Sequence, residues 1–186
     1  MANSGAGTHG LIQIRIGGYG GQGIVVAGML LGKAASLYDG KEAVFTQAYG
    51  PEARGGASNA DVIISDHAVD YPYVSRPDIL AVMFQEAYAR FRPLLSPGGV
   101  LIIEQDLVHP DADDGLCIGL PATRMAEELG SKLVTNVVLL GYIIGVTAVA
   151  SCEAVKQAIR TTVKERVIDL DLRAFDAGYE RALRDR

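Results

Sequence analysis

Leu11-Ile-Gln-Ile-Arg-Ile16 alternates apolar and polar positions and is rich in β-branched residues, which predicts a strand. Residues 24–37 are apolar nearly all round and long enough for a helix. Between the two stands Gly17-Gly18-Tyr19-Gly20-Gly21-Gln22-Gly23, so the chain opens with a strand, a glycine turn and a helix. A helix apolar on every side is covered by its own sheet and by a further element or chain. Gly28 and Gly32, four apart, give it one face that permits close approach. A second strand is expected over 42–45. The stretch 46–58, punctuated by Gly-Pro and Gly-Gly, reads as a loop before Val62-Ile-Ile64 restarts a strand. Residues 78–83 and 100–104 are apolar enough for central parallel strands, and 85–92 is helical up to the stop at Pro93. A short strand is expected over 117–120 and a helix over 123–129, closed by Gly130. A buried helix follows near 136–145, and then a helix capped by Ser151 with an apolar stripe of Ala154, Val155, Ala158, Ile159 and Val163. Residues 171–186 place Leu172, Phe175, Tyr179 and Ala182 at helical spacing. This alternation predicts an α/β fold, Rossmann-like, with a mostly parallel sheet and helices on both faces.

Composition narrows the picture. With 186 residues, 49% of them hydrophobic, the chain can bury one good core, which suggests a single domain over 11–186 after a small, polar, disordered leader at 1–10. A formal charge of -5 and a pI near 5.2 leave no basic excess to displace counterions, so nucleic acid is not an expected partner. Residues 133–150 carry no charge and reach the lower edge of a spanning helix, but Thr135, Asn136, Gly141, Gly145 and Thr147 within them favour burial in the protein over a membrane. The two cysteines, Cys117 and Cys152, stand far apart. They fit reduced thiols in a cytoplasmic protein and cannot build an iron–sulfur or zinc site from this chain alone.

The chemistry concentrates in two stretches. Gly18, Gly20 and Gly23 fit G-x-G-x-x-G, in which glycines allow a tight turn and close backbone approach while the first free N–H groups of the helix face an anion. A tight βα turn without a ligand is the alternative. A NAD site calls for an acidic residue at the end of the second strand, where this chain has Thr46 and Gln47; Asp39 and Glu42 sit at the wrong end. In the second stretch Arg54, bracketed by glycines, could pair bidentately with a phosphate or carboxylate, or internally with Glu52 or another acid. Asp111, Asp113 and Asp114 suit either a cation or a solvated loop. His9, His67 and His109 make no triad or metal spacing, no G-x-S-x-G occurs, and Ile24 stands where a P-loop would carry lysine. No catalytic residue and no metal ligand is assigned. An anion-binding scaffold without visible catalytic machinery suggests a subunit.

Gly20-Gly21-Gln22-Gly23 and Gln47-Ala-Tyr49-Gly50-Pro51-Glu52-Ala53-Arg54-Gly55-Gly56, with Asp70-Tyr71-Pro72 and Pro77-Asp78, resemble the gamma subunit of 2-oxoacid:ferredoxin oxidoreductases over about 11–179. The second motif looks like the 2-oxoglutarate type; pyruvate-type members show a bulkier, more basic loop. The resemblance implies a Rossmann-like, non-catalytic gamma chain packed on alpha and beta chains. Thiamine diphosphate would lie between alpha and beta, and iron–sulfur clusters in beta or delta chains. The reaction implied is oxidative decarboxylation of 2-oxoglutarate with coenzyme A and reduction of ferredoxin. This chain lacks the G-D-G and later Asn pattern of a thiamine diphosphate site, so it would hold none of these cofactors alone. Gly18, Gly20, Gly21, Gln22 and Gly23, with Arg54, are expected to hold coenzyme A phosphates or to seat the alpha chain. Tyr49, Gly50, Pro51, Glu52, Gly55 and Gly56 are expected at the interface. Isolated, the chain could cover its apolar faces as a homodimer. A small-molecule methyltransferase, suggested by the glycine turn and by residues 94–103, and a purely structural interaction protein stay open as alternatives.

Overall fold

The alternation of the first strand is realised in β1 (Leu11–Tyr19), where Ile12, Ile14 and Ile16 enter one core while Arg15 and Gly17 meet Phe91 on the other side of the sheet. The computed structural model describes residues 10–49, 57–112, 114 and 117–185. After β1 come α1 (Ile24–Lys33), widening into a π-helical segment (Ala34–Tyr38), then β2 (Glu42–Ala48), β3 (Ala57–Ser65), β4 (Ile79–Val82), α2 (Gln85–Phe91), β5 (Val100–Glu104) and β6 (Cys117–Leu120). The chain ends in α3 (Ala122–Glu128), α4 (Thr135–Thr147), α5 (Cys152–Arg160) and α6 (Glu165–Arg184). One 6-stranded sheet has the order β2-β3-β1-β4-β5-β6. β1, β4, β5 and β6 are parallel, and β3 runs against both β1 and β2.

Helices cover both faces, as expected for the α/β class. Ile79 and Ala81 of β4, Met83 just after it and Ile102 of β5 enter the larger core with α1 and α3 to α6, whereas Leu80, Val82, Leu101 and Ile103 face the smaller core of α2. Three expectations change. The first strand does not stop at Ile16: Gly17, Gly18 and Tyr19 pair with Asn59, Ser58 and Ala57, so Gly18 belongs to the strand and the turn begins after it. The expected loop at 46–58 is for its described part a hairpin, with Thr46, Gln47 and Ala48 paired to Asp61, Ala60 and Asn59. Backbone ladder bonds satisfy these small and polar residues where side-chain pattern does not announce a strand. The last helix begins at Glu165 rather than at residue 171. The leader expected over 1–10 lies, except for Gly10, outside the described residues.

Two polar devices fix the sheet and the helices packed on it. Arg15 donates to both carboxylate oxygens of Asp61 at 2.7 and 2.6 Å and to the carbonyl of Val74 at 2.8 Å, so the strand centre also holds the connection between β3 and β4. The Ser151 cap is formed as expected, its hydroxyl oxygen accepting the N–H of Ala154 at 3.1 Å. Asp39 in turn accepts from the Ser151 N–H and hydroxyl, tying the end of the first helical stretch to α5.

The tightest packing lies between α4 and α6. A Cβ at Gly141 would fall on the carbonyl oxygen of Phe175, one at Gly178 on that of Val138, and one at Gly145 on the Cβ of Ala182. The two helices touch backbone to backbone, and only glycine fits. Gly32 in α1 differs, since a Cβ there would meet Phe45 at an ordinary 3.5 Å. Among the described residues no helix is long and apolar enough to cross a membrane. Gly178→Ala is therefore expected to destabilise the chain by about 4 kcal/mol or more, and Gly32→Ala to leave stability unchanged or raise it by up to about 1 kcal/mol. Urea denaturation of both variants checks the contrast.

Candidate functional site

In an open α/β sheet a ligand site is expected outside the carboxyl ends of the strands where successive crossovers diverge to opposite faces. Here β1 leads to α1 in the larger core and β4 leads to α2 in the smaller one, so that point lies between β1 and β4. The glycine turn sits there. Its geometry separates the glycines by role. At Gly18 a Cβ would come within 2.5 Å of Gln22 Oε1, and at Gly23 within 2.7 Å of Asn136 Nδ2, so these two are glycine because side chains fold against them. Gly23 also takes φ 71, a left-handed conformation at the N-cap of α1 that favours glycine. At Gly20 and Gly21 a Cβ would meet nothing within 4 Å among the described residues. Those two carry the open stretch of backbone.

Gln22 locks the turn from inside. Its Oε1 accepts the Tyr19 N–H at 2.9 Å, its Nε2 donates to the Met83 carbonyl at 3.1 Å, and its own N–H returns to Tyr19 O at 3.2 Å. Its side chain thus joins the ends of β1 and β4 and is committed to the fold. From the other side Asn136, only 5% exposed, donates to the Gly23 carbonyl at 3.0 Å, while its Oδ1 is buried without a donor among the described residues. The intrahelical ladder of α1 opens with Ala27 N–H to Gly23 O, and neither a side-chain cap nor an acidic residue occupies the first turn. The positive end of the α1 dipole is left for an anion.

In front of the turn lies a cleft of about 360 Å³, lined among others by Tyr19, Gly21, Leu107, Thr123, Lys132 and Leu133. Lys132 Nζ pairs with Glu127 at 2.6 Å, and that contact raises its pKa. Behind Thr123, Glu104 at the end of β5 is fully buried and accepts the Thr123 N–H at 2.9 Å and the Thr123 hydroxyl at 3.2 Å. Burial pushes its carboxyl above the ordinary value, and these donors only partly offset that. Burial likewise pushes both thiols, Cys117 and Cys152, upward, away from thiolate. The arrangement can cradle an anion but offers no poised acid, base or nucleophile among the described residues.

Of the residues expected to bind, Gly21 and Gln22 line the cleft, Gly20 stands beside them in the open turn, Gly18 and Gly23 are packed under the side chains of Gln22 and Asn136, and Arg54 lies outside the described residues. Of the expected interface, Tyr49 is exposed at the end of β2; Gly50, Pro51, Glu52, Gly55 and Gly56 lie outside the described residues. In the Asp-rich loop Asp114 is tied to Arg92 and Tyr88, whose hydroxyl is pushed up to about 12, chiefly by burial. No group of three His, Cys, Asp or Glu among the described residues could hold a metal. Asn136, Glu104 and Arg15 were not anticipated as structural anchors. Each lies next to or alternates with other polar residues, so nothing in the local sequence singles it out.

A family model described as pyruvate ferredoxin/flavodoxin oxidoreductase matches residues 13–181. The chain is 47% identical over 176 residues to the 2-oxoglutarate synthase subunit KorC of Methanothermobacter thermautotrophicus, covering 90% of this chain and 93% of that one. It is 33% identical to the ketoisovalerate oxidoreductase subunit VorA of the same organism, covering 91% of this chain but 36% of VorA. Among solved structures, a keto/oxoacid ferredoxin oxidoreductase gamma subunit from Geobacter sulfurreducens superposes with a TM-score of 0.86 at 40% identity, covering 94% of this chain and 98% of that one. These matches do not favour the methyltransferase alternative.

Two outcomes follow from the site's anchors. Gln22→Ala should cost about 1–2 kcal/mol and speed hydrogen exchange at the amides of 19–24, since it leaves the Tyr19 N–H without its acceptor; unchanged exchange there would refute the locking role. Because the folded-state pKa of Glu104 is raised above the ordinary 4.5, its contribution to stability is full below that value and is lost as pH climbs through the raised one. The stability difference between Glu104→Gln and the parent should therefore shift in favour of Gln from about pH 4.5 to neutrality, as read from urea midpoints across that range.

Proposed function

Since this chain belongs to the pyruvate ferredoxin/flavodoxin oxidoreductase family, we propose that it is the gamma subunit of a 2-oxoglutarate:ferredoxin oxidoreductase. The reaction is oxidative decarboxylation of 2-oxoglutarate with coenzyme A to succinyl-CoA and carbon dioxide, with electrons passed to ferredoxin. The observation that carries the reading is the 47% identity to KorC over nearly the whole of both chains. The partners are alpha and beta chains, with a delta chain where the beta chain does not hold all the clusters, and the assembly works in the cytoplasm. Thiamine diphosphate and the iron–sulfur clusters belong to those partners. A chain with 2 cysteines, one on β6 and one on α5, has no donor set for a cluster.

Within the assembly this chain contributes binding rather than chemistry. Gly20 and Gly21, at the open end of the α1 dipole, approach the phosphates of coenzyme A, with Arg54 adding a guanidinium. Tyr49, Gly50, Pro51, Glu52, Gly55 and Gly56 meet the alpha chain. Supporting this is the pairing of Ala57 with Tyr19, which returns the chain to the sheet beside the glycine turn. A coenzyme carrying several phosphates suits an uncapped helix start, and the N–H donors there need no residue to titrate.

The test is the anaerobically purified alpha–beta–gamma complex, assayed for ferredoxin reduction with 2-oxoglutarate or pyruvate and varied coenzyme A. Activity should favour 2-oxoglutarate. Gly21→Val, at φ 103 in the parent, and Arg54→Ala should each raise the KM for coenzyme A about tenfold or more with kcat little changed. A complex whose KM for coenzyme A ignores both changes would remove the glycine turn from coenzyme binding.

A further inference from the structure

A second cavity, of about 420 Å³, opens on the α2 face of the sheet and shares no lining residue with the glycine cleft. Strand register builds its floor. Arg15, Asp61 and Thr46 stand opposite one another across β1, β3 and β2, and two residues along on the same face come Gly17, Asn59 and Ala48. Two polar groups on this floor are nearly buried and still lack a partner. Arg15, 8% exposed, commits Nε and Nη2 to Asp61 and the Val74 carbonyl, which leaves Nη1 without an acceptor among the described residues. Asn59, 7% exposed, gives its amide N–H to Asp61, which leaves Oδ1 without a donor among them. Neither atom is sealed as Asn136 Oδ1 is, so both keep contact with the open space of the cavity that their residues line.

The end of α2 adds a second guanidinium. Arg90 lines the cavity, is exposed, and makes only a 3.4 Å contact with the Ala57 carbonyl, with no carboxylate partner among the described residues. The ring of Phe91 steadies both cations, with Arg15 Cζ at 5.1 Å and Arg90 Cζ at 5.3 Å from its centroid. Asp61 is the one acid lining the cavity among the described residues, and its oxygens already accept from Arg15 and Asn59. Two guanidinium groups against one carboxylate leave a single positive charge, which selects an anion. Arg90 sits in the last turn of α2, where the helix dipole is negative, and this favours one negative charge on the ligand over two. The planar Arg90 fork matches a carboxylate. Asn59 Oδ1 calls for a donor, and beside two cations that donor is a hydroxyl rather than an ammonium. We propose that this cavity binds a small organic hydroxycarboxylate at a site separate from the glycine cleft. Its carboxylate is held by Arg90 and Arg15 Nη1, and its hydroxyl donates to Asn59 Oδ1.

The test titrates the full chain with lactate at constant ionic strength and follows backbone amide resonances by NMR. Lactate should bind saturably with a Kd of about 1 mM and shift the amides of residues 46–48 and 59–61. Arg90→Ala, at an exposed position, should keep the parent's melting temperature and weaken binding about tenfold or more. Propanoate, which lacks the hydroxyl, should bind about fivefold or more weakly than lactate. Gly21→Val should leave the lactate titration unchanged. The proposal is overturned if lactate gives no saturable shift, if its binding survives Arg90→Ala, or if propanoate binds equally well. Loss of lactate binding in Gly21→Val would assign it to the glycine cleft, and inorganic phosphate binding as tightly as lactate would make the cavity a general anion seat; either result also overturns it.

Discussion

The backbone contact between α4 and α6 is the constraint on which the site depends. Gly141, Gly145 and Gly178 let the two helices approach until main chain meets main chain, and the position of α4 follows from that approach. Asn136, in its first turn, then reaches the Gly23 carbonyl. The turn just before it presents Lys132 and Leu133 to the cleft. The glycine turn is therefore located by an element more than a hundred residues later in the chain, across the larger core. A local sequence of glycines makes the turn sterically allowed, but long-range packing decides where it stands.

A second set of constraints lies in the polar groups inside the sheet. Arg15 and Asp61 are both nearly buried and satisfy one another through two bonds, with Asn59 donating to the same carboxylate at 2.9 Å. Removing either partner would leave an unmatched charge in the sheet, a far larger cost than the pair's own net contribution. The pair also depends on register. Arg15 faces Asp61 directly, and a one-residue slip of β3 would turn the carboxylate to the apolar face beneath α1. The antiparallel strand is thus fixed in place by an ion pair where side-chain hydrophobicity is weak, over Ser58-Asn59-Ala60.

That weakness explains what the sequence conceals. The strand, glycine turn and helix at the start, the two central strands and the Ser151 cap are legible because periodicity and turn chemistry agree locally. The hairpin is not, because Thr46-Gln-Ala48 and Ala57-Ser-Asn-Ala60 are small or polar and take their conformation from ladder partners that no local window contains. Gly20 and Gly21 are legible as an open turn. Gly18 shares their motif, yet it is a strand residue shielded by Gln22, a role visible only once the Gln22 side chain is seen to fold back. Leu133 reads in the sequence as one more apolar residue at the edge of a buried helix. Only the capped turn that holds it outward reveals its exposure.

The electrostatics of the cleft decide what kind of work it can do. A general acid or base needs a proton to exchange near neutrality and must reach its substrate. Glu104 is fully buried and committed to donors on Thr123. Lys132 is paired and pushed upward, and both thiols are pushed away from thiolate. Backbone N–H groups at a helix start have no such limits, because they bind an anion at any pH at which the chain is folded and do not react with it. A site built from them holds a charged handle rigidly and leaves the reacting end of the molecule to be presented elsewhere. The relatives include both a protein that this region nearly fills and one of which it is about a third, and a site that only holds a charged handle works equally in either setting, because none of its own groups has to exchange a proton.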